Sequence, residues 1–282
     1  VTGVQTCALP ISVPPVPPAV RNPVLVLRDS LRAAGVDSVL RDSLVRVARR
    51  ARARELVQDR ERQCAAKGTH TTIRARYEGT LRVIDSKSKV TEKRWQYDRI
   101  GSHGNSKAIL RFTAPAEVKG VALLVLNHPD RSSDQWMWTP AIARDRRIAL
   151  QDRSTRFFGT DFSFEDLEER DTAQFDYKLL AEETMDGVAA WKIESRPRQS
   201  KVSQYTHSYL WVRKDNYVIT VIENYKKDQL VRRAHYTQIQ KVQDIWTAHQ
   251  VEMLDIQRNS KTIMQIEKLQ YNQPMKDEDF TL

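Results

Sequence analysis

From Thr71 to Tyr271 a period of two recurs in stretch after stretch of the chain. Ile73, Ala75, Tyr77, Gly79, Leu81 and Val83 alternate with Arg74, Arg76, Glu78, Thr80 and Arg82. Successive side chains of an extended strand point to opposite faces, so this alternation marks a strand buried on one side. Val90–Ile100, with Trp95 and Tyr97 on one face, and Ala108, Leu110 and Phe112 repeat the pattern after polar turns at Lys87–Lys89 and Gly101–Gly104. Further strands are predicted over Val118–His128, Asp134–Pro140, Arg144–Leu150, Phe175–Glu183, Val188–Arg196, Tyr205–Arg213, Tyr217–Lys226, Gln229–Val242, Trp246–Arg258 and Lys261–Tyr271. Connections this short suit an antiparallel meander. Asp186-Gly187 is a strong tight-turn signal. No fixed repeat implies a propeller.

Two stretches break the alternation. Val121-Ala-Leu-Leu-Val-Leu126 is apolar on both faces, so both faces need cover. Phe157-Phe-Gly-Thr-Asp-Phe-Ser-Phe-Glu-Asp-Leu167 places four aromatics in eleven residues between predicted strands. Ser163 and Asp166 have capping-box spacing, Phe162 and Leu167 the spacing of a hydrophobic staple, and Gly159 permits a sharp turn. A short aromatic helix is therefore expected here. It either closes the end of a core or gates a cavity. Asp161, Glu165, Asp166, Glu168 and Glu169 form an acidic cluster suited to the positive end of that helix.

The chain has 282 residues, 40 % hydrophobic and 29 % charged, enough for one globular domain with a sizeable core. No run of 18 apolar residues suggests a membrane-spanning helix. The net charge of +10 is concentrated at the front, where residues 1–66 hold 11 Lys+Arg against 6 Asp+Glu. Residues 1–11 resemble the conceptual translation of a sequencing-library adapter and are set aside from fold reasoning. The proline-rich stretch 12–23 reads as an extended linker, so 1–23 is expected to be artefact or linker. Residues 24–66 read as a basic helical segment, with Leu40, Leu44, Val47, Ala48 and Ala51 on one face. Residues 67–282 form the predicted domain. Cys7 and Cys64 permit at most one disulfide, and no disulfide framework is expected.

Familiar catalytic patterns are missing. The sequence has no Gly-x-Ser-x-Gly elbow, no His-Glu-x-x-His and no Gly-rich phosphate loop. Its six histidines are scattered singly, so neither a metal nor a cofactor is expected. Lys178, Lys192, Arg213, Lys226 and Arg232 could make a basic stripe, but no nucleic-acid motif accompanies them, and no nucleic-acid partner is expected. The six tryptophans, all in predicted strands, mark either a large barrel core or a cavity rim.

The Phe157–Leu167 stretch resembles the signature of the LolA-like, outer-membrane lipoprotein-sorting family. Leu110–Gly120, Gln135-Trp-Met-Trp-Thr-Pro140, Tyr209-Leu-Trp-Val-Arg213 and Asp277–Leu282 resemble the same family in the same order, and the likeness runs from about Arg54 to the C-terminus. The resemblance implies a mainly β fold: an incomplete, strongly curved antiparallel β-barrel with helices covering its open side. Arg54–Arg60 matches the family's N-terminal helix. It also implies a monomeric, non-enzymatic periplasmic carrier of a lipid or lipoprotein acyl chain, with an inner-membrane exporter as a further partner. No signal peptide is visible, and the true N-terminus is expected to be missing. On this reading Leu124, Leu126, Trp136, Trp138, Phe157, Phe158, Phe164 and Trp211 line the cavity. The competing readings are a lipid hydrolase using Asp161 and Asp166, and an adaptor that holds no ligand.

Overall fold

A computed structural model describes residues 5–6, 47–48, 51–52, 73–102, 104–129, 131–243 and 245–282. Its strands are β1 (Gln5–Thr6), β2 (Ile73–Ile84), β3 (Val90–Ser102), β4 (Asn105–Ala114), β5 (Ala122–Asn127), β6 (Asp134–Thr139) and β7 (Arg144–Arg147). The second half adds β8 (Phe175–Met185), β9 (Val188–Pro197), β10 (His207–Arg213), β11 (Ile219–Lys226), β12 (Gln229–Val242), β13 (Ile245–Asp255) and β14 (Ser260–Tyr271). Each strand predicted from alternation is present.

The strands make one antiparallel sheet in the order β7-β6-β5-β4-β3-β2-β14-β13-β12-β11-β10-β9-β8. Every neighbouring pair is consecutive in sequence except β14 with β2, where the chain's end returns to the domain's first strand. The sheet curls but is not closed into a barrel, because β7 and β8 remain its two edges. Turn chemistry follows the sequence. Asp186 and Gly187 both take positive φ, 51° and 75°, as a tight hairpin turn requires. Gly79 is needed for close approach: a Cβ there would lie 1.8 Å from the Gln265 carbonyl oxygen of β14. Gln5–Thr6, from the adapter-like stretch, pairs with Thr247 and Trp246 of β13.

The inner face of β2–β5 and β12–β14 gathers one large apolar cluster, including Tyr77, Leu81, Trp95, Leu110, Phe112, Leu123, Val251 and Met264. A second inner cluster, with Tyr177, Ile193, Leu210 and Ile219, lies under β8–β11, and Ile222 touches both. On the opposite face, Ala122 and Leu124 pack with Ile109 against Met275 and Phe280. The doubly apolar β5 is thus covered twice, by the core inside and by the C-terminal tail outside.

The helices expected over the open side are not shown. Within 73–282 the described helical turns are short 3-10 pieces, such as Leu150–Ser154 and Glu165–Leu167. Val47, Ala48, Ala51 and Arg52 are helical, while the rest of 24–66, with the expected helix at Arg54–Arg60, and both cysteines lie outside the described residues. The material inside the curl is the connection between β7 and β8.

Candidate functional site

That connection contains the Phe157–Leu167 stretch, folded into the hollow. The Phe157 N–H donates to the Phe162 carbonyl (2.9 Å), the Thr160 N–H to the Phe157 carbonyl (2.9 Å), and Arg156 bridges Ser163. Phe158 and Gly159 take φ of 44° and 74° to close this loop. Gly159 meets no atom that a Cβ would strike, so its glycine serves the backbone angle rather than space. The Ser163–Asp166 exchange exists: the Ser163 N–H donates to Asp166 Oδ2 (2.8 Å), and the Asp166 N–H to Ser163 Oγ (3.3 Å). The helical piece that follows is one 3-10 turn, Glu165–Leu167, not an α-helix, and its N-cap position is Phe164 rather than Ser163. The chain leaves helical conformation at Glu168 (ψ 149°), whose carboxylate goes to Arg153 and Lys201 while Glu169 goes to Arg99.

The rings form a compact group. Phe157 stacks on Phe112 of β4 at 5.5 Å and meets Phe158 and Phe164 edge-on at 5.4 and 5.7 Å. Phe157, Phe162, Phe164 and Leu167 are buried, and Phe158 is half-buried. Among the described residues a small cavity of about 10 Å3 remains between this stretch and β3–β5. That is room for about one water molecule. The stretch therefore packs closely against the inner lining of β3–β5.

Five carboxylates hold it there, each at a different point of the fold. Asp161, fully buried, accepts from Ser260 Oγ (2.6 Å) and Thr262 Oγ1 (2.7 Å) of β14 and pairs with Arg156. Glu165 accepts from Ser203 Oγ and the Gln204 N–H. Burial pushes its carboxyl above the usual carboxylate range, against those two hydrogen bonds. Asp166 accepts from the Tyr205 hydroxyl (2.8 Å) and pairs with Arg232 of β12 (3.3 Å). Glu168 takes Arg153 and Lys201. Glu169 takes Arg99 of β3 at 2.6 Å. The acidic cluster thus pins the segment to β3, β12 and β14 and to the connection before β10. Arg232 is drawn inward to Asp166 and is buried, so the basic stripe loses that member.

The eight residues expected to line one cavity fall into three places. Phe157, Phe158 and Phe164 meet inside the curl. Leu124, Leu126, Trp136 and Trp138 belong to the opposite face, with Met275 and Phe280 of the tail. Trp211 lies with Ala190 and Val221 outside the second half, its Nε1 donating to Glu183 (2.8 Å) under Lys192. The inner lining of β5 is the other parity, Leu123 and Val125. Sequence reasoning missed these two because both parities of Val121–Leu126 are equally apolar. Phe112 was missed as the stacking partner, although its alternation with Leu110 already placed it on a buried face.

The family model that matches residues 104–282 carries the description uncharacterized protein. No curated protein matches the sequence. Solved structures that share the fold include three that cover most of the chain. One, described as an outer membrane lipoprotein-sorting protein domain from Vibrio parahaemolyticus, is 23% identical, with a TM-score of 0.75 over 82% of this chain and 96% of its own. A DUF1329 family protein from Desulfovibrio piger is 26% identical, with a TM-score of 0.76 over 83% and 97%. A LolA superfamily protein from Nitrosomonas europaea is 17% identical, with a TM-score of 0.58 over 84% and 97%.

Proposed function

Since the chain belongs to a LolA-like protein family, we propose that it is a carrier or chaperone that shelters the acyl chain of a lipid or lipoprotein inside its curled sheet. The observation that carries this reading is the aromatic segment seated in the hollow. Phe157, Phe158 and Phe164 cover the apolar lining of β4 and β5 as an acyl chain would. An acyl chain in water costs about 0.8 kcal/mol per exposed CH₂, so a carrier needs a dry apolar interior. The empty carrier has the same need, and an internal segment that occupies the interior meets it. Loading then means exchange: the segment moves out as the chain moves in.

On this proposal the protein works in the periplasm as a monomer without catalytic activity, as a carrier of the outer-membrane lipoprotein-sorting type that receives its cargo from an inner-membrane exporter. The fold shared with the Vibrio parahaemolyticus lipoprotein-sorting domain supports the reading. The buried carboxylate of Asp161 is fully engaged by Ser260, Thr262 and Arg156, which suits a structural anchor better than a hydrolytic group. Native mass spectrometry of the mildly purified protein, with analysis of its organic extract, tests the proposal. A bound species that carries an acyl chain is expected. A ligand-free protein that takes up no lipid on incubation contradicts it.

A further inference from the structure

The anchors of the aromatic segment are unequal, and the last one has the geometry of an anion receptor. Glu169 Oε1 accepts from Arg99 Nε (2.9 Å), Arg99 Nη2 (2.6 Å) and Ser106 Oγ (2.9 Å), while Oε2 accepts from the Gly104 N–H (2.9 Å). Asn127 Nδ2 donates to Ser106 Oγ (3.0 Å) and fixes that hydroxyl. Arg99 is held in turn by the carbonyls of Gly101 (3.0 Å) and Ser102 (3.2 Å). Its side chain is only 4% exposed. Four donors from two strands and a turn converge on one carboxylate. That carboxylate lies two residues beyond Leu167, at the end of the very segment that loading must displace.

The small cavity starts here. Leu110, Leu123, Val125 and Leu167 form its apolar walls, with Asn127 and Glu169 at its polar end. Once the segment lifts, an apolar lining that ends on a charged cradle suits an amphiphile lying head to cradle and tail inward. We propose that the Arg99–Ser106–Gly104 cradle is the headgroup site of the carrier, that Glu169 is a tethered stand-in for the ligand's headgroup, and that the ligand class is an acyl amphiphile bearing an anionic carboxylate or phosphate. This rests on the carrier reading above and adds the headgroup to it.

Desolvation supplies the selectivity. A guanidinium removed from water is tolerated only while it is paired, and loss of its partner leaves a strongly unfavourable buried charge. When the segment lifts and takes Glu169 with it, Arg99 needs a replacement anion. An acyl carboxylate or phosphate provides one and accepts from the same donors, in charge-assisted bonds of the stronger kind. A neutral alcohol or ester leaves Arg99 without a counter-charge, so it cannot complete the exchange equally well.

The test compares dansylaminoundecanoic acid with the matching dansylamino alcohol on the full chain, by fluorescence titration with displacement by unlabelled palmitate or hexadecanol. The acid is expected to bind about tenfold or more tightly than the alcohol, the scale of a hydrogen bond to a charged group. Glu169→Gln removes the competing tethered carboxylate, so it raises acid affinity by a larger factor than alcohol affinity and widens the preference for the acid. Arg99→Gln combined with Glu169→Gln removes both charges and abolishes the preference, while retained alcohol binding shows that the protein is folded. Equal binding of acid and alcohol by the wild type and by Glu169→Gln overturns the headgroup assignment and leaves the carrier standing. Unchanged or weakened acid binding in Glu169→Gln also overturns it. Failure of both probes to bind displaceably overturns the carrier reading and this inference with it.

Discussion

Phe157 meets three other rings, and each meeting has a consequence that a truncation can read. Phe157→Ala should lower the unfolding free energy by about 3–5 kcal/mol, the usual range for a Phe removed from a tight interior. Phe158→Ala, at a half-buried position, should cost clearly less. Urea unfolding of the two variants side by side checks the difference, and equal losses would contradict the packing described. Gly79→Ala is a sharper case. The added methyl would meet the backbone of β14 at 1.8 Å, where no flexible side chain can give way. Overpacking of this sort costs about 1–3 kcal/mol or more, visible as a lower urea midpoint. At this scale the sequence was partly legible. The Ser163–Asp166 exchange was readable from spacing alone. The partners of Asp161, Glu168 and Glu169 were not, because Thr262, Lys201 and Arg99 lie in other connections and strands and only the fold brings them together.

Among the elements, strands were legible and the connection between β7 and β8 was not. A strand needs only its own alternation to be recognised. The aromatic segment gains its conformation from five long-range carboxylate contacts, which outweigh the helix that its local signals favour. Face assignment failed for a related reason in β5 and β6. Trp136 and Trp138 look like cavity residues, yet they join the outer face that Met275 and Phe280 of the tail partly cover. Trp138→Ala and Phe280→Ala should therefore lower the thermal midpoint while leaving the affinity of an acyl probe unchanged. A loss of probe affinity in the folded Trp138→Ala protein would place that ring in the ligand site after all. The same segment carries a pH signature through Glu165. Its folded carboxyl is raised by burial, so its stabilising contribution is fully present below the unfolded value near 4.5 and is lost as the pH rises through the folded value. Relative to wild type, Glu165→Gln should gain stability between pH 4 and pH 7. Parallel midpoints across that range would show that Glu165 titrates as it does in the unfolded chain.

At the scale of the whole molecule, the antiparallel meander was legible because two-residue alternation recurs from Thr71 to Tyr271, whereas its curl was what the family resemblance implied. The filling of the hollow was not, since a plug and a cavity wall share the same aromatic composition. That filling defines the central claim of the proposed carrier function, in which Phe157–Leu167 occupies the acyl site and loading displaces it. Amide hydrogen exchange, with and without a saturating acyl probe, measures this most directly. The account predicts that amides within Phe157–Leu167 exchange faster in the loaded protein while those of β2–β5 and β12–β14 stay protected. Equal protection of Phe157–Leu167 in the free and the saturated protein would contradict it.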